Sequence, residues 1–538
     1  MRKTCSSRLE PDQAHGPAVP WSTSLLVARV HWDGFRCAPL KYLQAVFWQL
    51  TGKKLRARNC FSRLNGRSSQ AYRLWMARSE PVVCGALPRS MPASGPSITV
   101  VIDKGGDPEL VAATTASVLA SDRNATIVTE WPVEPAGWVL PLRAGDLLAP
   151  EALPTYAGAV LRHEGATIIY ADDDLLDETG KRHAPYFKPD WNPGLFEHHD
   201  YLTHSALLCW QSSLAPGANR LKQVTAAALR KALVPPIHLP FVLHHRRNRA
   251  APSIPQPVPA CADLTYPHVT VLVPTRDRLE LLRTCLDGLS ETCYPCFDCV
   301  VIDNDSREPQ TKEFLRALPS DRFSVLPFPG KFNYSAMNNA AARTARGKFL
   351  CFLNNDIEII DPAWLHAMIT QATRDDCGAV GAKLLYPDGT IQHAGVVTGV
   401  GGGAAHAHRF LGQGQEGYFH RAHLPQQVSA VTAACMVVEK RKFLEVGGFD
   451  PTNFAVAFND VDLCLKLNAR GWQCFYEPRA VLVHHESKSR GDDREPTNRV
   501  RFAGELAALK RIWGTDLRPD PFHHPQLSPF SETFVVSI

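Results

Sequence analysis

The 538-residue chain has no apolar run approaching the ~20 residues of a membrane-spanning helix. Its N-terminal stretch Ser24-Leu25-Leu26-Val27-Ala28 is broken by Arg29 and is too short for the core of a signal peptide. The phosphate loop GxxxxGK[ST], the zinc-protease HExxH and the esterase GxSxG are all missing. Gly412 to Gly417 spells GxGxxG, but it follows no strand pattern and opens no helix, so it is not a dinucleotide fingerprint. Cysteine comes to 15, an odd number without framework spacing, which excludes a disulfide scaffold and fits free thiols in a reducing compartment. Cys293, Cys296 and Cys299 form CxxCxxC, yet Cys299 opens the strand-like run Cys299-Val300-Val301-Ile302, which argues against a zinc knuckle. Charge of one sign is scarce: 58 Lys+Arg against 53 Asp+Glu leave +5, so nucleic acid is not an expected partner. The chain is expected in the cytoplasm.

The hydrophobic share of 45% and charged share of 21% are those of a globular protein, and the length allows about three or four domains. The basic excess is uneven. The first 90 residues hold 15 Lys/Arg against Glu10, Asp12, Asp33 and Glu80, so the remainder is mildly acidic. Within that basic head, residues 40, 43, 47 and 50 are apolar and Lys53, Lys54, Arg56 and Arg58 follow. The spacing predicts one basic amphipathic helix over 40–58. It either lies on an anionic surface, placing the chain peripherally at the inner face of the cytoplasmic membrane, or packs on the next domain.

Ser94-Gly95-Pro96 separates this segment (1–95) from a new strand beginning at Ile98. A Pro-rich linker covers 251–266. After it, strand patterns at 269–273, 300–302 and 349–353 alternate with helical patterns over 279–289 and 334–346. That is the signature of an α/β fold with a parallel sheet, whose ligands sit beyond the carboxyl ends of the strands. An imperfect repeat accompanies it. Trp138 to Asp146 answers Phe349 to Asp356, Ile168-Ile169-Tyr170 answers Leu384-Leu385-Tyr386, and His244-His245 answers His484-His485. Two copies of one α/β unit are therefore expected, over 96–250 and 267–500, with a C-terminal extension over 501–538.

The strand tips of the second copy carry the polar residues. Pro274-Thr275-Arg276-Asp277 ends the first strand, Asp303-Asn304-Asp305-Ser306 the second and Asn354-Asn355-Asp356-Ile357-Glu358 the third. Carboxylates at such tips suit a hard divalent cation, although Asn and Asp also serve turns and caps. A Gly447-Gly448-Phe449-Asp450 loop precedes Asn459-Asp460-Val461-Asp462, which opens a helix, and His484-His485-Glu486-Ser487 closes a final strand.

In this order the motifs closely resemble the family 2 glycosyltransferases of GT-A fold. More narrowly they resemble the bacterial two-domain group that builds O-antigen, often described as rhamnosyltransferases. Phe332-Asn333-Tyr334-Ser335-Ala336-Met337-Asn338-Asn339, Gln392-His393-Ala394-Gly395 and Ala430 to Cys435 carry the narrower likeness. Tyr170 to Asp174 and Tyr186-Phe187-Lys188-Pro189-Asp190-Trp191 resemble the degenerate first half of such proteins. The resemblance implies two GT-A-like units in tandem, the first silent. It implies a nucleoside-diphosphate sugar as donor, with Thr275, Arg276, Asp277, Asp303, Asn338 and Asn354 on its side. It implies Mn²⁺ or Mg²⁺ on Asp356 and His484, Asp460 as the general base of an inverting transfer, and a glycan or lipid-linked saccharide as acceptor. Asn354-Asn355 and Asn459 stand where the wider family has acids. A non-catalytic sugar-binding or scaffold subunit is the competing expectation. A nucleotidyltransferase is the third, disfavoured because no Gly-rich phosphate loop follows the first strand. In the first unit, Asp172-Asp173-Asp174 is expected to be a solvated turn.

Overall fold

The computed structural model describes residues 21–103, 107–132, 137–210, 220–257, 266–486 and 496–538. Residues 1–20 of the basic head, 258–265 of the expected linker, and Ser487 onward of the histidine motif lie outside the described residues.

Two mixed sheets form the body. The first has strands in the order Thr126–Val128, Ile98–Asp103, Gly137–Arg143, Ala206–Trp210, Ile168–Leu176, Ile237–Arg246, Leu147–Leu148. The second runs Phe323–Pro327, Phe297–Asp303, Val269–Thr275, Phe349–Leu353, Cys435–Glu439, Cys377–Leu385, Gln473–His484, Ile357–Ile359. Without the edge strand Phe323–Pro327 the two orders coincide, step by step in parallel and antiparallel sense. The repeat seen in the sequence is thus a repeat of the fold, two α/β units in tandem.

The central strand Val269–Thr275 is buried along its whole length because helices cover both faces. Val271 and Val273 pack with Leu282, Leu286 and Leu289 of helix Leu279–Ser290, while Leu272 packs with Met337 and Ala341 of helix Tyr334–Thr344. Cys299 lies inside strand Phe297–Asp303, fully buried, which accounts for the CxxCxxC spelling without a metal.

Three expectations are corrected. The single helix over 40–58 is two, Pro39–Leu50 and Lys54–Asn65, interrupted at Gly52, whose φ of 77° no continuing helix can use. Helix Pro496–Trp513 runs across the 500/501 boundary and packs against the second unit. Asp172, Asp173 and Asp174 are no solvated turn: they lie in strand Ile168–Leu176 with zero exposure. Buried carboxylates need partners, and each has its own. Asp172 meets His238 at 3.0 Å and His524 at 2.8 Å. Asp173 meets Lys188 at 2.7 Å and Arg249 at 2.5 Å. Asp174 accepts from Tyr72 Oη at 2.6 Å and pairs with Arg182 at 2.5 Å and His245 at 2.7 Å.

These pairs fasten the chain's ends to the first unit. Tyr72 lies on helix Ala71–Arg78 of the basic head, and His524 belongs to the C-terminal tail. The tail also takes the Asp190 N–H on Pro521 O (2.8 Å) and the Arg421 guanidinium on Phe522 O (2.8 Å). The Tyr186-to-Trp191 motif and Asn192 face the second unit. The Phe187 N–H donates to Tyr418 Oη (3.0 Å), the Asn192 side chain exchanges hydrogen bonds with the Gln427 backbone (2.8 and 3.0 Å), and Tyr186 stacks on Phe419.

Candidate active site at the strand tips

Parallel strands Val269–Thr275, Phe297–Asp303 and Phe349–Leu353 end at one edge of the second sheet. Thr275 and Asp303 are register partners there. Asp303 Oδ1 accepts the Ser306 N–H (3.0 Å), and Thr275 Oγ1 accepts from Asn355 Nδ2 (3.0 Å). Arg276 is exposed beside them. Asp277, at φ 55°, accepts the N–H groups of Arg307 (2.6 Å) and Glu308 (2.9 Å) on one carboxylate oxygen, so it ties the first tip to the second. Asn338 stands apart from this group. It is fully buried on helix Tyr334–Thr344, and its Nδ2 donates back to Tyr334 O (2.9 Å).

Asp356 follows the third strand and is 4% exposed. Its Oδ1 lies 3.1 Å from His484 Nε2, because Ile357 pairs with His484 across the two strands. The orientation of His484 follows from its other nitrogen. Gln392 Nε2 donates to Glu486 (3.1 Å), which turns Gln392 Oε1 toward His484 Nδ1 (2.6 Å). Gln392 Oε1 thus takes Nδ1, and Nε2 is the ring nitrogen that faces Asp356. A carboxylate oxygen and an imidazole nitrogen converging at this distance fit a divalent cation. The Asn354 amide closes a third side, its Nδ2 3.3 Å from the same nitrogen.

Asp460 begins helix Asn459–Ala469 and is half-buried. Its Oδ2 accepts the Ala433 N–H (3.2 Å), while Ala434 O accepts the Asn354 N–H (3.0 Å). Asp460 and the Asn354-to-Asp356 tip thus flank one short segment, 432–434. His393 braces that segment. Its Nε2 accepts the Thr432 N–H (3.2 Å) and its Nδ1 donates to Ala382 O (2.9 Å). Burial pushes this imidazole down to about 3, so it stays neutral.

Several supporting residues carried no assigned role in the sequence. Asn339 accepts the Phe449 N–H (3.0 Å) and donates to Phe449 O (2.8 Å), pinning the Gly-Gly-Phe-Asp loop. Ser335 Oγ donates to Phe454 O (2.5 Å). Glu505, 5% exposed on the C-terminal helix, accepts the N–H groups of Val456 (2.9 Å) and Ala457 (3.2 Å) just ahead of Asn459-Asp460. Trp513 Nε1 donates to Asp462 (2.9 Å). The first two lie inside the Phe332-to-Asn339 phrase, which was the available signal. Glu505 and Trp513 lie in the expected extension, where no local pattern marks them.

Residues 270–445 match the family model Glycosyl transferase family 2. The second unit is a family 2 glycosyltransferase domain. Protein y4gI of Sinorhizobium fredii is 36% identical over 73% of this chain and 48% of its own length. The O-antigen biosynthesis protein RfbC of Myxococcus xanthus is 34% identical over 72% of this chain and 33% of its own. The N-acetylglucosaminyl-diphospho-decaprenol L-rhamnosyltransferase of Mycobacterium tuberculosis is 26% identical over 36% of this chain and 68% of its own. The chain therefore spans half or less of the first two relatives' length. No helix among the described residues is long and apolar enough to cross a membrane.

Proposed function

We propose that the second unit transfers a sugar, rhamnose by kinship with the mycobacterial relative, from a nucleoside diphosphate to a glycan or lipid-linked saccharide during bacterial surface polysaccharide synthesis, with inversion at the anomeric carbon. The observation that carries this reading is the shared segment 432–434, with Asp460 on one side and the Asn354-to-Asp356 tip on the other. Thr275, Arg276 and Asp303 are assigned to the nucleoside, Asp277 to shaping the rim, and Asp356 with His484 to the divalent cation. Such a cation, when bound, offsets the negative charge that develops on the departing diphosphate. Asp460 takes the proton of the acceptor hydroxyl as that oxygen attacks the anomeric carbon from the side opposite the diphosphate. No covalent sugar–enzyme intermediate is required.

The scaffold reading rests on Asn residues where the wider family has acids. Two of those amides hold the local structure together, since Asn355 Nδ2 donates to Thr275 and Asn459 Nδ2 to Val456 O (2.9 Å). Their neutrality leaves the Asp356–His484–Asp460 set intact. The first unit serves as a scaffold in this proposal. Asp146, at the position of Asp356, accepts the Arg247 N–H (2.9 Å), and His245, at the position of His484, is bound to Asp174.

The test is release of nucleoside diphosphate from sugar nucleotides with Mn²⁺, in wild type and Asp460→Asn. Turnover should fall roughly 10²–10⁴-fold while nucleotide-sugar affinity holds. Equal turnover in both proteins refutes the base assignment, pyrophosphate released from a nucleoside triphosphate and a sugar 1-phosphate in a parallel assay instead indicates nucleotidyl transfer, and no turnover in either assay favours the scaffold.

A further inference from the structure

We propose that the N-terminal helices dock this protein on an anionic lipid bilayer through their exposed apolar and basic side chains. Helix Pro39–Leu50 is apolar on two sides. Tyr42, Ala45 and Trp48 pack against Cys60, Phe61 and Leu64 of the next helix. On the opposite side Leu40, Leu43, Phe47 and Leu50, at helical spacing, are 85%, 55%, 58% and 81% exposed. A water-facing helix does not ordinarily carry such a second apolar side, and apolar patches of this kind mark interaction sites.

The neighbouring helix Trp21–Cys37 adds exposed residues of the same two kinds. Leu25 and Trp32 are exposed there, with Arg29 and Arg36 at the same helical spacing. Trp32 stacks on Phe35, and Phe35 meets Tyr42 edge-on (5.8 Å each), so the two helices pack beside one another.

Charge selects the occupant. From residue 21 to 78 there are eleven Lys/Arg and a single acid, Asp33, whose carboxylate accepts from Ser68 Oγ (2.6 Å). Immediately after Leu50 come exposed Lys53, Lys54, Leu55 and Arg56. A second copy of this face would set the same positive charges against one another. Anionic headgroups complement them, while the apolar side chains enter the acyl boundary, as in interfacial helices. The inference stands on this surface and not on the strand-tip chemistry.

The test uses the full chain, sedimented with phosphatidylcholine vesicles with and without phosphatidylglycerol. Binding is expected only with phosphatidylglycerol and should weaken with added salt. Leu43→Glu/Phe47→Glu, at two exposed positions, should lower partitioning by about tenfold or more. Its melting temperature and its sugar-nucleotide turnover in solution should be unchanged, which keeps failure of this inference separate from failure of the proposed reaction. No binding, equal binding to phosphatidylcholine alone, or equal binding by the variant overturns the proposal. So does a dimer in light scattering that the double substitution dissociates, since the face would then pair with itself.

Discussion

Gln392 stands behind His484, the proposed cation ligand, and sets which of its nitrogens faces Asp356. Glu486 orients its amide, the amide oxygen engages His484 Nδ1, and Nε2 is left to face Asp356. Gln392→Leu removes the acceptor without adding bulk. Mn²⁺ affinity, measured by calorimetry in the presence of nucleoside diphosphate, should fall about 10–100-fold, as for other lost outer partners of a metal-ligating histidine. That Asp356, His484 and Asp460 stand at a strand tip, a strand end and a helix start was legible in the sequence from the apolar runs beside them, whereas the roles proposed for them came from the family resemblance. Gln392 and His393 were visible only as part of a phrase, since nothing in the letters says which backbone or imidazole they brace. Asn338 misled because an Asn near the site in sequence points into the helix's own packed side, where its amide bonds to Tyr334 O.

At the scale of elements, the helix that begins at Asn459 depends on the loop before it. Gly448 sits at φ 67°, and a Cβ there would meet Asn339 Oδ1 at 2.6 Å and Phe443 at 3.0 Å. Gly448→Ala should destabilise the protein by about 1–3 kcal/mol, read from the urea midpoint, and reduce kcat by shifting Asp460. Glu505→Leu leaves the Val456 and Ala457 N–H groups without their acceptor. It should cost about 1–3 kcal/mol and lower kcat while nucleotide-sugar Kd stays constant, because the donor side of the site is untouched. The alternation of strands and helices was legible from apolar runs such as Val269 to Val273, buried on both faces. The helix break at Gly52 was less so, because the apolar spacing on one side and the basic run on the other read as a single amphipathic pattern.

Across the whole molecule, Tyr72, Trp75, Phe187, Val397, Leu527 and Phe534 share one core cluster, so the N-terminal helices, the C-terminal tail and residues of both units meet in it. Beside it lies the Asp172 cluster. Burial alone would raise the Asp172 carboxyl, but His524 and His238 outweigh it and hold the carboxyl below its usual range. Burial alone would lower His238, and Asp172 outweighs it, so the imidazole lies above its usual value. The carboxyl's contribution is present above the unfolded carboxylate range and lost as pH falls through the folded value. The imidazole's is full below the unfolded histidine range and lost as pH rises through the folded one. The stability difference between wild type and His238→Gln, from urea melts, should therefore be largest between these limits and shrink toward both acid and alkaline pH. The sequence hid this cluster because Asp-Asp-Asp reads as a turn, and its partners Tyr72, Arg182, Arg249 and His524 are scattered along the chain.

The distance along the chain between Asp172 and His524 also has a temporal consequence. A ribosome must deliver about 350 further residues after Asp172 before His524 exists to meet it. Until then the nascent first unit holds a carboxylate in its interior with only His238 and the Lys188 N–H to answer it. That half should reach its final resistance to protease only after the last stretch of polypeptide has left the exit tunnel, even though its own strands were finished long before.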